Sequence, residues 1–273
     1  MRHRSTYVGR KIFHTCKRES GSIMIRFILV ALFVVIFLIL SIPLLIIEWI
    51  IGKFNMPLKD KSSLVIVTWA FRVCLFLSGV KTTVIGKENI PTDTAVLYVG
   101  NHRSYFDTLL TYDQAIRPTG SVAKIEMEKI PLLSNWMRNL HCTFLDRTDL
   151  KKGLSTIKEN IELLKSGISV NVYPEGTRNK SQDTLLPFHD GSFKMAEKSG
   201  CPIVPVTMND TSQIFEAHLP KIQKQHIIVE YGKPIYMAQM SREEKKMVSK
   251  QVQDILTATY EKNKALAAEK NKR

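Results

Sequence analysis

Two short polar blocks, about seventy residues apart, carry the side chains best suited to chemistry. The first is Asn101-His102-Arg103-Ser104-Tyr105-Phe106-Asp107 and the second is Tyr173-Pro174-Glu175-Gly176-Thr177-Arg178. The first supplies an imidazole and a carboxylate, a pairing that serves general base catalysis. The second supplies a carboxylate and a guanidinium beside a glycine turn. A guanidinium grips phosphate oxygens two at a time. Gly176 permits close backbone approach, and Pro174 stiffens the entry to the turn. Glu175 is placed to orient Arg178 or to hold a substrate hydroxyl. Between the blocks, Thr143-Phe144-Leu145-Asp146-Arg147 ends another apolar stretch in a cation. Together these groups point to acid/base chemistry on a substrate that carries an anion.

The His-x4-Asp spacing constrains its own geometry. In one continuous helix, His102 and Asp107 would lie about 140° apart and could not meet. They can meet if His102 sits on a loop and Asp107 in the first turn of the next helix. Ser104 suits an N-cap there, and Tyr105, Leu109, Leu110 and Tyr112 have helical apolar spacing. A carboxylate on one ring nitrogen then fixes the tautomer and leaves the other as a base. No Ser, Cys or Thr stands where a covalent nucleophile is needed. The simplest chemistry is direct: His102 takes a proton from a substrate hydroxyl, which attacks an activated acyl carbonyl, a catalysis worth about 10²–10⁴-fold. Taken alone, such a spacing more often marks a capped turn and a helix-terminal charge. Several strand ends carrying such groups tip the balance toward a site.

Each block follows an apolar run that reads as a buried strand, residues 94–99 and 168–172. Polar residues at a strand's end enter the crevice at the sheet's carboxyl edge, where open α/β sheets bind ligands. Strands are expected near 82–86, 94–100, 121–124, 142–146, 168–173, 202–207 and 226–231. Helices are expected near 104–117, 131–139, 151–166, 190–199 and 242–260. This alternation predicts an α/β fold, with a mixed or largely parallel sheet flanked by helices. Ser241-Arg242-Glu243-Glu244 is a capping-box pattern opening the last helix. Val248, Val252, Ile255 and Leu256 give that helix one apolar stripe. From Glu261 the chain reads as a frayed, solvated end.

Four ordered motifs resemble the 1-acylglycerol-3-phosphate (lysophosphatidate) acyltransferase family. They are Asn101-His102 with Asp107, Phe144-Leu145-Asp146-Arg147, Tyr173 through Arg178, and Ile203-Val204-Pro205-Val206. The resemblance covers about residues 80–235. It implies a membrane-bound acyltransferase that moves an acyl group from acyl-CoA or acyl-carrier protein to lysophosphatidate, without metal or cofactor. His102 would be the base and Asp107 its partner. Arg147, Glu175, Gly176, Thr177 and Arg178 would contact the glycerol phosphate, with Lys124 as a further contact. Asn101 and nearby backbone N–H groups would support the oxyanion. The chain departs from the family pattern at His141 and Ser134, both usually Gly, at Asn179, and at Phe188-His189-Asp190-Gly191. These departures bear on the acceptor and donor, not on the His/Asp pair. Other readings are transfer to another lysophospholipid or to glycerol 3-phosphate, and a non-catalytic membrane-anchored lipid-binding module.

Composition adds bounds. The 273 residues leave room for one α/β domain with appendages. A formal net charge of +14 suits an anionic membrane, anionic small molecules or nucleic acid. Zinc-finger spacing, RNA-binding aromatic signatures and basic regions joined to heptads are all missing, which argues against nucleic acid. Cys16, Cys74, Cys142 and Cys201 are too dispersed for a metal cluster or a disulfide framework.

Residues 27–47 are uncharged and apolar. As a helix they would reach about 31 Å, enough to cross a bilayer's hydrocarbon core. Pro43 is a candidate kink, and the stretch is too long for a typical signal peptide. A second apolar stretch, residues 64–80, carries a polar strip at Thr68 and Arg72. It reads as an in-plane helix with that strip facing water or headgroups. Before Phe27 the sequence holds seven Lys/Arg and one acid, which places that end in the cytoplasm. The resemblance puts the catalytic domain on the cytoplasmic face too, so the two segments either form a spanning hairpin or embed from one side. The expected organisation is a basic segment (1–26), membrane-anchoring helices (27–80), a catalytic domain (81–240) and a C-terminal helix and tail (241–273).

Overall fold

The computed structural model describes residues 24–181 and 185–272. Most of the basic N-terminal segment, and Cys16 with it, lies outside the described residues.

Seven strands form one sheet in the order β1-β7-β6-β2-β5-β3-β4. They are β1 (Lys81–Ile85), β2 (Leu97–Gly100), β3 (Thr119–Lys124), β4 (Thr143–Leu145), β5 (Ser169–Val172), β6 (Ile203–Met208) and β7 (His226–Tyr231). Every neighbouring pair is parallel except β6 with β7. All seven expected strands are present, in a largely parallel, mixed sheet. The central strands β2, β5 and β6 are buried along their whole length. Such continuous apolar runs belong to strands covered on both faces.

Side-chain alternation divides the core. Leu97, Val99, Val170, Val172 and Ile203 face one layer, packed against Leu164, Phe193, Met195, Val248, Val252 and Leu256. That layer is α6 (Leu150–Lys165), α7 (Gly191–Ser199) and α8 (Arg242–Lys272). Val96, Tyr98, Val204, Val206 and Met208 face the other, against Phe106, Leu110 and Leu75. These last come from α4 (Phe106–Asp113) and α3 (Met56–Ser78).

The N-terminal stretch does not form one straight span. The helix α1 (Met24–Leu40) is bent by 49° from α2 (Ile42–Phe54). The break at Ser41 precedes Pro43, whose ring and missing N–H disfavour a continuous helix. Ser41 accepts a hydrogen bond from Trp136 Nε1 at 2.8 Å, on α5 (Leu133–Asn139). Phe37 lies against the same indole, and at the other end of α1 Phe27 stacks on Phe215. Both ends of α1 therefore touch the globular domain. Glu48 of α2 is buried and accepts from Ser62 and Ser63 of α3 at 3.0 and 2.9 Å. The outer surfaces of these helices expose Trp49, Phe54, Trp69 and Phe76.

The polar strip of α3 is split: Thr68 is buried against the domain, contrary to expectation, while Arg72 stays largely exposed and pairs with the domain's edge. Thr68 Oγ1 donates to the Tyr112 carbonyl at 3.4 Å, and Arg72 Nε to Asp113 at 2.6 Å. The C-terminal end of α4 offers acceptors there, and packing on them satisfies both side chains. The final helix also corrects an expectation. It opens with the predicted capping box, Glu244 N to Ser241 Oγ at 3.3 Å and Ser241 N to Glu244 Oε2 at 2.7 Å. It then continues to Lys272 instead of fraying at Glu261. Its last turns bond to the neighbouring β7: Lys262 and Asn263 to Glu230, and Asn271 to the His226 backbone.

Ending the chain after Glu261 removes these contacts. The truncated protein is expected to lose about 2–4 kcal/mol of stability, at about 0.5–1.5 kcal/mol per bond. Denaturant unfolding in detergent checks this, and an unchanged midpoint would show that the last turns contribute nothing.

Candidate active site

Strands β2 and β5 are hydrogen-bonded neighbours, with Val99 opposite Val172. The two polar blocks therefore leave adjacent strands at the same carboxyl edge. His102 and Asp107 meet as the spacing requires: Nδ1 to Oδ2 is 2.8 Å. The acceptor-only carboxylate calls for the proton on Nδ1, so Nε2 keeps its lone pair. Nε2 has no partner among the described residues, and the His102 side chain is 20% exposed. Asp107 is fully buried, and the same Oδ2 accepts from the Arg103 and Ser104 amides at 2.7 and 2.8 Å. The helix begins at Phe106, and Ser104 Oγ accepts from its amide at 3.0 Å, which fulfils the capping role.

The loop bearing His102 is held from the second block. Its amide donates to Glu175 Oε1 at 2.8 Å, and its carbonyl accepts from the Asn179 amide at 2.7 Å. Glu175 Oε2 accepts from the Leu186 amide at 2.9 Å. Burial raises this carboxyl above its ordinary range, while the two amides pull it back. Glu175 thus spends both oxygens on backbone and makes no bond to Arg178, unlike the expected orienting contact. The imidazole also lies flat on the Tyr173 ring, with centroids 4.2 Å apart and planes 10° apart. Its orientation is fixed by Asp107 at the edge and by Tyr173 on one face.

Arg178 is partly exposed. Its Nη1 donates to Glu216 at 3.2 Å and its Nη2 to Tyr105 Oη at 3.0 Å. The guanidinium carbon sits 3.7 Å from the Tyr105 ring centre, a cation–π stack. Gly176 has φ +71°, and a Cβ there would lie 3.1 Å from the His189 ring. The turn's left-handed backbone favours glycine, and a side chain there would need the His189 ring to give by a few tenths of an ångström. Thr177 is exposed. Arg147, also exposed, has no side-chain bond among the described residues and lines a cavity of about 310 Å³ with Gly176 and His189. Leu145, Leu154, Ile157, Val172 and Met195 make the cavity's apolar wall, and Tyr173 borders it as well.

Two expected site residues are engaged elsewhere. The Asn101 amide bonds both the amide and the carbonyl of Met208, each at 2.9 Å, splicing the ends of β2 and β6. These bonds commit its oxygen and one of its two amide N–H groups to β6. Lys124 pairs with Glu126 at 2.8 Å on the surface. His141 takes φ +59°, the left-handed region that suits the family's usual glycine. Its Nε2 lies 2.8 Å from Asp60 of α3. Cys74, Cys142 and Cys201 are buried free thiols. Among the described residues no three His, Cys, Asp or Glu converge as metal ligands would. The roles of the Tyr173 ring and of Glu216 were not foreseen. Tyr173 was visible as part of its block, whereas no sequence signal marks Glu216.

Residues 81–209, which include all four motifs, match the family model described as Acyltransferase. That stretch is similar to the acyltransferase family, and the chain's resemblance to the 1-acylglycerol-3-phosphate acyltransferases holds. A 1-acyl-sn-glycerol-3-phosphate acyltransferase of Borreliella burgdorferi is 32% identical over 153 residues, 56% of this chain and 61% of that protein. The chloroplastic 1-acyl-sn-glycerol-3-phosphate acyltransferase BAT2 of Brassica napus is 38% identical over 137 residues, 49% of this chain and 39% of that one. The matches thus span less than two thirds of these relatives' own lengths. The crystal structure of the 1-acyl-sn-glycerophosphate acyltransferase PlsC from Thermotoga maritima has the same fold. Its TM-score is 0.67 at 24% identity, over 83% of this chain and 97% of that one.

Replacing Glu175 by alanine orphans the His102 and Leu186 amides. The variant is expected to lose about 2–6 kcal/mol, since each unsatisfied buried group costs about 1–3 kcal/mol. Thermal unfolding in detergent measures it, and a wild-type melting profile would contradict the assigned brace.

Proposed function

We propose that the protein moves a fatty acyl group from a thioester, acyl-CoA or acyl-carrier protein, to the sn-2 hydroxyl of lysophosphatidate. The product is phosphatidate, and the step belongs to phospholipid synthesis. The observation that carries this reading is the His102–Asp107 pair, with Nε2 unpartnered, beside a cationic turn and an apolar cavity. The names of the similar proteins point the same way.

His102 Nε2 takes the proton as the acceptor oxygen attacks the thioester carbonyl. The tetrahedral intermediate collapses, the carbon–sulfur bond breaks, and the imidazolium proton goes to the departing thiolate. Asp107 holds the tautomer and offsets the charge that develops on the ring. Arg178 and Arg147 hold the acceptor phosphate, with Gly176 and Thr177 shaping the turn. The wall of Leu145, Leu154, Ile157, Val172 and Met195 suits a hydrocarbon chain.

Residues 81–240 form the catalytic part in this reading, and 27–80 the membrane anchor. Exposed Trp49, Phe54, Trp69 and Phe76 make an apolar surface suited to lipid. Contacts from both ends of α1 to the domain favour embedding from one side over a crossing between them. Donor thioesters in the cytoplasm favour that face.

His102→Ala is expected to lower turnover at least about a hundredfold while the protein still folds and stays on membranes. Arg178→Ala is expected to raise KM for lysophosphatidate about tenfold or more, through loss of charge-assisted bonds. Both are read by acyl transfer in membranes, with oleoyl-CoA and a panel of lysophospholipid acceptors and glycerol 3-phosphate. Near-wild-type activity in His102→Ala would refute its role, and an unaltered acceptor dependence in Arg178→Ala would remove the phosphate assignment. Transfer to a different acceptor would keep the mechanism and change the substrate. No transfer with either donor class would leave a lipid-binding module.

A further inference from the structure

Glu216 lies past the residues that match the family model, on the loop between β6 and β7. No sequence motif includes it. Yet its carboxylate joins both polar blocks. Oε1 accepts from the Tyr105 amide at 2.8 Å and from Arg178 Nη1 at 3.2 Å. Oε2 accepts from Ser104 Oγ at 2.7 Å, and Ser104 Oγ in turn accepts from the Phe106 amide that opens α4.

We propose that Glu216 is a positioning residue that sets the register between the base and the anion-binding arginine. The proposal rests on the acyltransferase reading and adds to it what fixes the acceptor's phosphate relative to His102.

Arg178 reaches its place on a long, flexible stem, and holding such a side chain still costs rotamer entropy. Here the ordering is done in advance. The Tyr105 ring supports the guanidinium on one face, and Glu216 holds one terminal nitrogen. Only two of its five N–H donors are occupied by these contacts. The others remain for a phosphate. The same carboxylate grips the loop that carries His102 and Asp107, so a shift of one block drags the other. Glu216 is itself anchored. Ile214 is fully buried, and Phe215 stacks on Phe27 of α1 with ring centres 5.8 Å apart. A loop brace alone would need bonds only to Ser104 and Tyr105. The ion pair to Arg178 is the feature that a positioning role explains.

The test is a double-mutant cycle between Glu216→Gln and Arg178→Ala, read as kcat and KM for lysophosphatidate in membranes. Glutamine is nearly isosteric: Oε1 can still accept from Tyr105, and its amide can donate to Ser104. It loses the charge that holds Arg178. Glu216→Gln is expected to raise acceptor KM about tenfold, with kcat changed less than about threefold. In the Arg178→Ala background it should have no further effect on KM, because residues acting through one contact are not additive. Additive effects, or a fall in kcat at constant KM, would overturn the proposal. If Glu216→Gln does not accumulate as folded protein, Glu216→Asp carries the test. It keeps the charge but is one methylene too short to hold Arg178 and the Ser104–Tyr105 loop together, and the same rise in acceptor KM is expected, again absent when Arg178 is alanine. An inactive wild type on every acceptor would remove the acyltransferase reading and this role with it. An active wild type with an additive cycle would remove only the role of Glu216.

Discussion

The parallel pairing of β2 with β5 is the constraint on which the rest of the site depends. Two loops leaving neighbouring strands in the same direction must share the space at one sheet edge. That forced proximity lets Glu175 of the second loop take the amide of His102 in the first, and lets Asn179 supply the amide for its carbonyl. His102 is therefore held through its own main chain. Its ring needs only an edge contact from Asp107 and a face contact from Tyr173 to be fully oriented. A buried carboxylate whose ionised form is disfavoured by its surroundings is retained at the centre because two backbone donors meet there.

The strands and most helices were legible because their signals are local. Continuous apolar runs such as residues 168–172 mark strands buried on both faces, and Ser241 with Glu244 marks a helix start. The contact between His102 and Asp107 was legible for the same reason. Five positions of chain, a loop and a first helical turn leave little freedom. The contacts missed are those made across long stretches of sequence. Glu216 reaches Ser104 from 112 residues away, and Asn101 reaches Met208 from 107. Nothing in the local pattern of either residue tells which partner it will find. The tail beyond Glu261 was misread because its apolar content is low. Its helix is held by polar bonds to β7 instead.

The N-terminal helices are fastened to the domain by polar groups as well as by apolar packing. Trp136 to Ser41, Arg72 to Asp113 and His141 beside Asp60 tie the two parts at separate points. Glu48 with Ser62 and Ser63 closes α2 on α3. The last turn of α3 passes through Gly79, in the left-handed conformation, directly into β1. The helices α1 to α3 are accordingly a fixed extension of the sheet. Their outer apolar surface keeps a defined orientation relative to the edge where His102 and Arg178 stand.

The edge position of β1 also governs the order in which the chain can assemble. Its one partner is β7, with Lys81 opposite His226, so about 145 residues must follow before it can pair. At about 5–20 residues per second, a ribosome takes on the order of ten seconds to deliver them. During that interval α1, α2 and α3 are already made, with their apolar surfaces uncovered and the first strand unpaired. The helices that precede β1 thus emerge well before the strand that completes its pairing. A nascent chain with this topology gains by having their apolar surface shielded, by lipid or by a holding factor, until that strand arrives.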